Sequence, residues 1–156
     1  MGMKLQRHVS SSAVLLLAAC ASDPASQGLP AIYRGKISDV TDQSFREATD
    51  RAELDGLWAG AFGRVVSPPP EPAVDFSKQR VLAVFMGRQM RGGFGFDVLV
   101  TRVEELPDAV QVHVLFTAPG RNCHTTQVIN HPYAVFLLPA STKPLRYVAE
   151  HTVNDC

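Results

Sequence analysis

Downstream of residue 80 the apolar positions follow the two-residue period of β-strands. Val81-Leu82-Ala83-Val84-Phe85-Met86 is apolar throughout, as expected of a central strand covered on both faces. Phe94, Phe96, Val98 and Val100 alternate with Gly95, Asp97, Leu99 and Thr101, and Val110, Val112, Val114 and Phe116 alternate with Gln111, His113 and Leu115. Each run reads as a strand with one buried face, and Glu104-Glu105-Leu106-Pro107-Asp108 supplies the polar turn between them. Tyr133 to Leu138 and Leu145 to Ala149 are two further strands, separated by Pro139 and the turn Ser141-Thr142-Lys143-Pro144. Upstream, Ile32 to Ser38 reads as a first strand and Phe45-Arg46-Glu47-Ala48 as a weaker second.

The period changes once. Asp50 and Glu53 have capping-box spacing, and Leu54, Leu57, Trp58, Ala61 and Phe62 follow at helical intervals, predicting an amphipathic helix over 50–62. At that spacing Trp58 belongs to the core. Pro68, Pro69, Pro70 and Pro72 then exclude helix and ladder alike and stiffen the chain into an extended connector. No helical pattern intervenes between the later strands, so antiparallel pairing is expected. The predicted fold is mainly β with a minor α contribution: an antiparallel sandwich-like or strongly curved sheet, one open face covered by the helix.

The amino-terminal residues belong to a different kind of segment. Lys4 and Arg7 precede the short apolar run Val14 to Ala19, too short for a membrane span, and Leu17-Ala18-Ala19-Cys20 has the form of a bacterial lipobox. The expected organisation is a signal peptide over 1–19, a flexible tether over 20–31 rich in small and polar residues, and one domain over 32–156. Cys20 would carry diacylglycerol and palmitate, and multiple acyl chains give stable anchoring. Ala21 in place of Asp after that cysteine resembles the sorting signal for the outer membrane. Removing residues 1–19 takes away two basic and no acidic residues from a chain of formal charge +0, leaving the mature protein near −2. Such a balance, without a basic stripe, offers nothing to nucleic acid. With Cys20 acylated, Cys123 and Cys156 remain as an even pair in an oxidising compartment, so a disulfide is expected.

The stretch Arg91-Gly92-Gly93-Phe94-Gly95-Phe96-Asp97 invites a phosphate-cradle reading. A dinucleotide fingerprint needs a third glycine where Val98 stands and a helix where a strand follows, and the Lys-Ser/Thr of a P-loop is missing. The stretch therefore reads as a bend, with Gly92 and Gly93 free to take positive φ and Gly95 leaving room for a neighbour.

One series of short motifs is informative by its order. Asp75-Phe76 leads into the apolar strand, Met86-Gly87-Arg88 and Gly92-Gly93-Phe94 follow, then a strand pair, Ala118-Pro119-Gly120, and His131-Pro132-Tyr133 before a last apolar strand. Over roughly residues 53–139 this resembles the PrcB family. The resemblance implies an exported, often lipid-anchored domain that is not itself catalytic. Its name-giving member is a subunit of a complex with a subtilisin-like protease, so an exported protein partner, a protease among the possibilities, is what the family implies. The resemblance calls for no cofactor.

Two chemical alternatives centre on the loop bounded by Thr117 and His131. Cys123-His124 has the residue types of a thiolate nucleophile and its base, but neighbours on an extended chain point to opposite faces. His124 and His131, with His113, are the residue types of a metal site, yet their spacing matches none of the tight zinc pairs and no further ligand completes four. The sequence also contains no Gly-x-Ser-x-Gly elbow. An envelope hydrolase or a metal-binding protein is thus the alternative to an accessory domain.

Overall fold

The computed structural model describes residues 28–92 and 95–155. The expected signal peptide, Cys20 and most of the expected tether, with Gly93, Phe94 and Cys156, lie outside the described residues. The elements are β1 (Tyr33–Gly35), β2 (Ser44–Ala48), α1 (Arg51–Phe62), β3 (Gln79–Phe85), β4 (Asp97–Glu105), β5 (Val110–Pro119), β6 (Tyr133–Pro139) and β7 (Leu145–Asn154). They form a four-stranded sheet in the order β1-β6-β3-β2 and a three-stranded sheet in the order β4-β5-β7. Among the described residues the protein is mainly β, with two sheets and one helix, and no barrel closes.

The all-apolar run at 81–86 explains this layering. Val81, Ala83 and Phe85 point to the face covered by Leu54, Leu57, Trp58, Ala61 and Phe62 of α1. Leu82, Val84 and Met86 point to the opposite face and meet Val98, Val100, Val112, Val114 and Phe116 of the second sheet. The alternation in β4 and β5 is the inner face of that sheet, and its outer face meets solvent. Asp50 caps α1 by accepting from the Glu53 amide at 2.8 Å, but the Glu53 carboxylate reaches one residue further back than a standard box, accepting from the Thr49 amide at 2.7 Å. Trp58 is buried as expected, its indole N–H donating to the Pro69 carbonyl at 3.0 Å and fastening the proline connector to the helix.

One pairing departs from expectation. β1–β6, β2–β3, β3–β6 and β4–β5 are antiparallel, whereas β5 and β7 run parallel from Val110↔Leu145 to Pro119↔Asn154. The reason is topological: the chain leaves β5, crosses to the other sheet as β6, and returns, so β7 arrives in the direction of β5. The crossover that parallel pairing requires is here a strand of the facing sheet instead of a helix. Pairing along the whole of β5 also carries β7 five residues past the expected end at Ala149.

Candidate functional site

The strand directions gather several loops at one end of the sandwich. β3 ends there at Phe85, β5 at Pro119 and β7 at Asn154, while β4 starts there at Asp97 and β6 at Tyr133. The connections after β1, between β3 and β4, and between β5 and β6 therefore meet.

Backbone hydrogen bonds fasten them together. The β3–β6 ladder continues past the sheet as a two-chain ribbon: Met86 N donates to Pro132 O at 2.9 Å, Gln89 and Asn130 exchange bonds of 2.7 and 3.0 Å, and Gly92 and Thr126 exchange bonds of 2.6 and 3.1 Å. Arg88 N donates to Thr41 O at 2.8 Å, and His131 N to Lys36 O at 2.9 Å, so the segment after β1 is stitched to both arms. Arg91 closes the tip, donating to Thr125 Oγ1 and to the Gly120 carbonyl, each at 3.3 Å.

The glycines of this end differ from expectation in detail. Gly92 has no positive φ; its constraint is space, because a Cβ there would stand 2.7 Å from Thr126 Oγ1 and 3.0 Å from Val128. Positive φ occurs instead at Gly87 (78°) and Gly95 (99°), Gly95 also facing Pro119 at 3.1 Å, which bears out the close approach expected of it. The phosphate-cradle stretch thus carries one arm of the ribbon into β4.

Tyr133 is buried against Phe62, with ring centroids 4.8 Å apart, and burial raises its hydroxyl pKa. Its ring lies on β1 where a Cβ at Gly35 would come within 2.7 Å of it. Pro132 precedes it in the ladder, while Asp75 and Phe76 stand at the opposite end before β3, Asp75 held below the usual carboxylate range by Lys78 and Ser77. Gly92, Pro132 and Tyr133 therefore serve the scaffold of the loops, while Asp75 and Phe76 shape the entry to β3 at the other end.

Apolar side chains nonetheless reach solvent at the loop end: Met90 is 66% exposed, Val128 55% and Ile129 48%. Met90 lies between the two rungs of the ribbon, opposite Val128 and Ile129. Ile37, 66% exposed, joins them from the stitched segment and borders a groove of about 550 Å³ lined also by Val65, Val66, Pro68, Pro69 and Tyr133. None of the four was singled out in the sequence; apolar residues inside segments otherwise marked as turns would have been the signal.

The histidines do not converge. His131 donates from Nδ1 to the Ser38 carbonyl at 2.7 Å and serves as a strut. His124 is exposed, whereas its neighbour Cys123 is buried. His113 sits on the outer face of the second sheet, its Nε2 3.2 Å from Glu104 and 3.1 Å from Arg102. Among the described residues no group of three His, Cys, Asp or Glu is placed to hold a metal ion. Cys123 Sγ lies 3.4 Å from the carbonyl oxygen of Asn154, two residues before Cys156.

The part of the chain that builds this end, from β3 through the ribbon, β4 and β5 to β6, can be set against known proteins. Residues 80–139 match the family model described as PrcB C-terminal. The family is the one the motif order resembles, and the matched region spans both arms of the ribbon and the strands that carry them. No curated protein and no solved structure matches the chain. The matched residues run from β3 to β6, and β1, β2, α1 and β7 lie outside the match.

Proposed function

We propose that this protein is an exported, lipid-anchored accessory domain that acts by binding another exported protein, an envelope protease being the partner class the PrcB family implies. The observation that carries the reading is the loop end itself: three connections, two of them within the PrcB-like region, cross-bonded into one rigid unit that holds Ile37, Met90, Val128 and Ile129 out in water. Exposed apolar groups on a pinned scaffold have no role in the domain's own core and are suited to an interface. The hydrolase alternative draws less support, since Nδ1 of His131 is held by a backbone carbonyl and its Nε2 is buried, and Cys123 is buried while His124 faces solvent.

Cys20 is the anchoring residue in this account, with the outer membrane as its destination. Cys123 pairs with Cys156, a proposal supported by the approach of Cys123 Sγ to Asn154, because two residues of chain span the distance a disulfide needs. The test is crosslinking in intact cells followed by mass spectrometry of what is recovered with the anchored protein, read beside metabolic palmitate labelling of wild type and Cys20→Ser. The account expects label on the wild type alone and a defined exported partner whose abundance falls when this protein is deleted. Turnover of a substrate by the purified domain, abolished by both His124→Ala and His131→Ala without unfolding, would favour the hydrolase.

A further inference from the structure

The edges of the two sheets are not treated alike. β1 is three residues long and β2 five, while β4 is broken by a bulge between Val100 and Arg102 and receives Leu29 as a further pairing partner at Val100. Short strands, bulges and added chain are the devices that keep a sheet edge from pairing. β7 has none of them. It runs for ten residues in unbroken register with β5, contains no Gly, Pro or Lys, and no described residue pairs with its outer side.

The backbone groups on that side follow from the ladder. Pro144 O accepts from Val110 N at 2.9 Å and Asn154 O from Gly120 N at 2.8 Å, so the even-numbered residues turn their N–H and C=O toward β5. The odd-numbered ones, Leu145, Tyr147, Ala149, His151 and Val153, turn theirs outward. Side chains alternate as well: Leu145 and Tyr147 pack on the core between the sheets and His151 stacks on Phe116, leaving Arg146, Val148 and Glu150 on the outer face.

A strand that pairs antiparallel with its own copy must carry a residue on the two-fold axis, because only then do outward-turned groups meet outward-turned groups. Of these registers, the one centred on Val148 alone sets Arg146 of each copy opposite Glu150 of the other. Centring on Arg146 or Glu150 would set like charges face to face. With Val148 on the axis, Leu145 and Tyr147 form hydrogen-bonded pairs with His151 and Ala149 of the second copy. Arg146–Glu150 and Val148–Val148 then fall on the alternate, non-hydrogen-bonded positions, where side chains come closest. The charged groups around the strand leave this pairing open. Asp108 accepts from Arg146 at 2.7 Å, yet the Arg146 side chain remains 56% exposed. Glu47, which bears on Tyr147 from the facing sheet, is paired with Arg80 at 3.5 Å, and His113, beside Val148 in the ladder, is held by Glu104 and Arg102. Glu150 is exposed and has no ion pair among the described residues.

We infer that β7 is a self-association edge: two copies of this chain join β7 to β7, antiparallel about Val148, and merge their three-stranded sheets into one. The inference goes beyond the accessory reading and does not rest on it, since the register covers 145–151 and lies outside the ribbon of the loop end.

The test is oxidative cross-linking of the full-length protein in cells, read on non-reducing gels beside the parent chain with its native cysteines. Cα atoms of a non-hydrogen-bonded pair lie about 4.5 Å apart, within disulfide range, so Val148→Cys should join to itself as a dimer under diamide. Glu150→Cys should stay at the parent's level, because in this register its counterpart lies four residues, about 13 Å, along the opposite strand. Arg146→Cys copies mixed with Glu150→Cys copies probe the same register without touching the half-buried valine, and should cross-link where neither does alone. Charge is an independent readout. Beside Val148→Cys, either Glu150→Arg or Arg146→Glu sets like charges opposite each other and should lower the dimer yield about fivefold. Co-expressing the two should restore it, since each copy then meets its opposite. Absence of dimer from both Val148→Cys and the Arg146→Cys with Glu150→Cys mixture would overturn the inference. Equal dimer from Val148→Cys and Glu150→Cys, or no recovery on co-expression, would overturn the register. A photoreactive residue at position 148 that captures a different protein and no second copy would overturn self-association as the use of this edge.

Discussion

Replacing Gly87 by alanine tests how firmly the loop end is held. Gly87 has φ of 78°, and a Cβ there would stand 2.7 Å from Gln43 N, 2.8 Å from the Asp42 carbonyl carbon and 3.0 Å from Thr41 O. All three are backbone atoms, and the Arg88–Thr41 hydrogen bond of 2.8 Å holds them in place. The left-handed conformation costs alanine about 1–2 kcal/mol. Displacing packed backbone adds about 1–3 kcal/mol. The sum, about 2–5 kcal/mol, is a large part of the stability of an ordinary domain. Gly56 is the matched control, since it lies in α1 and a Cβ there would meet nothing within 4 Å. Alanine at position 56 should stabilise by about 0.5–1 kcal/mol through helix propensity. Urea unfolding followed by fluorescence reads both variants, because Trp58 is the single tryptophan of the chain. Opposite shifts of midpoint are expected, with Gly87→Ala melting lower by about 8–20 °C. A Gly87→Ala midpoint within about 0.5 kcal/mol of wild type would mean that the stitched segment yields freely, and the argument for a rigid loop end would fail.

Cys123→Ser should destabilise the exported protein by about 3–4 kcal/mol, the chain-entropy value for a loop of this length, and abolish the effect of reductant on its melting; equal melting of wild type with and without reductant would refute the pairing. Tyr147 stacks on Phe45 at 4.3 Å, and burial, aided by Glu47, raises its pKa from 10.0 to about 12. The unfolded chain loses that proton first, so stability present below pH 10 should decline between about 10 and 12. Tyr147→Phe should flatten that decline, leaving the part due to Tyr133; an unchanged alkaline profile would contradict the assignment.

Much of the fold was legible because local pattern and tertiary role coincide here. The run 81–86 is apolar at every position because both of its faces are covered, and the helix was marked by a cap and a spacing that the structure retains with a one-residue shift at Glu53. The parallel β5–β7 pair was not legible, since strand direction follows from which sheet receives β6, and nothing in the residues of β7 records that. Arg80 makes the same point within a strand: it is 3% exposed at the start of β3, where its guanidinium donates to the Lys143 carbonyl at 3.0 Å. A charged residue at a strand boundary reads as solvated until the opposite sheet is seen to cover it. At the candidate site the motifs Gly92, Pro132 and Tyr133 were legible as residues that matter, but their work is to shape the scaffold. The exposed apolar side chains of the loop end, Met90, Val128 and Ile129, follow no period, because the ribbon that carries them lies outside both sheets.

The central claim is that partner binding occupies the loop end. Amide hydrogen exchange of the full-length protein, with and without a partner recovered by crosslinking, tests it residue by residue. Slowed exchange is expected over segments 36–42, 86–92 and 120–131, with β7 and α1 unchanged. Protection running instead along β7, whose ten residues form an edge of the second sheet, would show that the partner adds a strand there, and would contradict the assignment of the loop end.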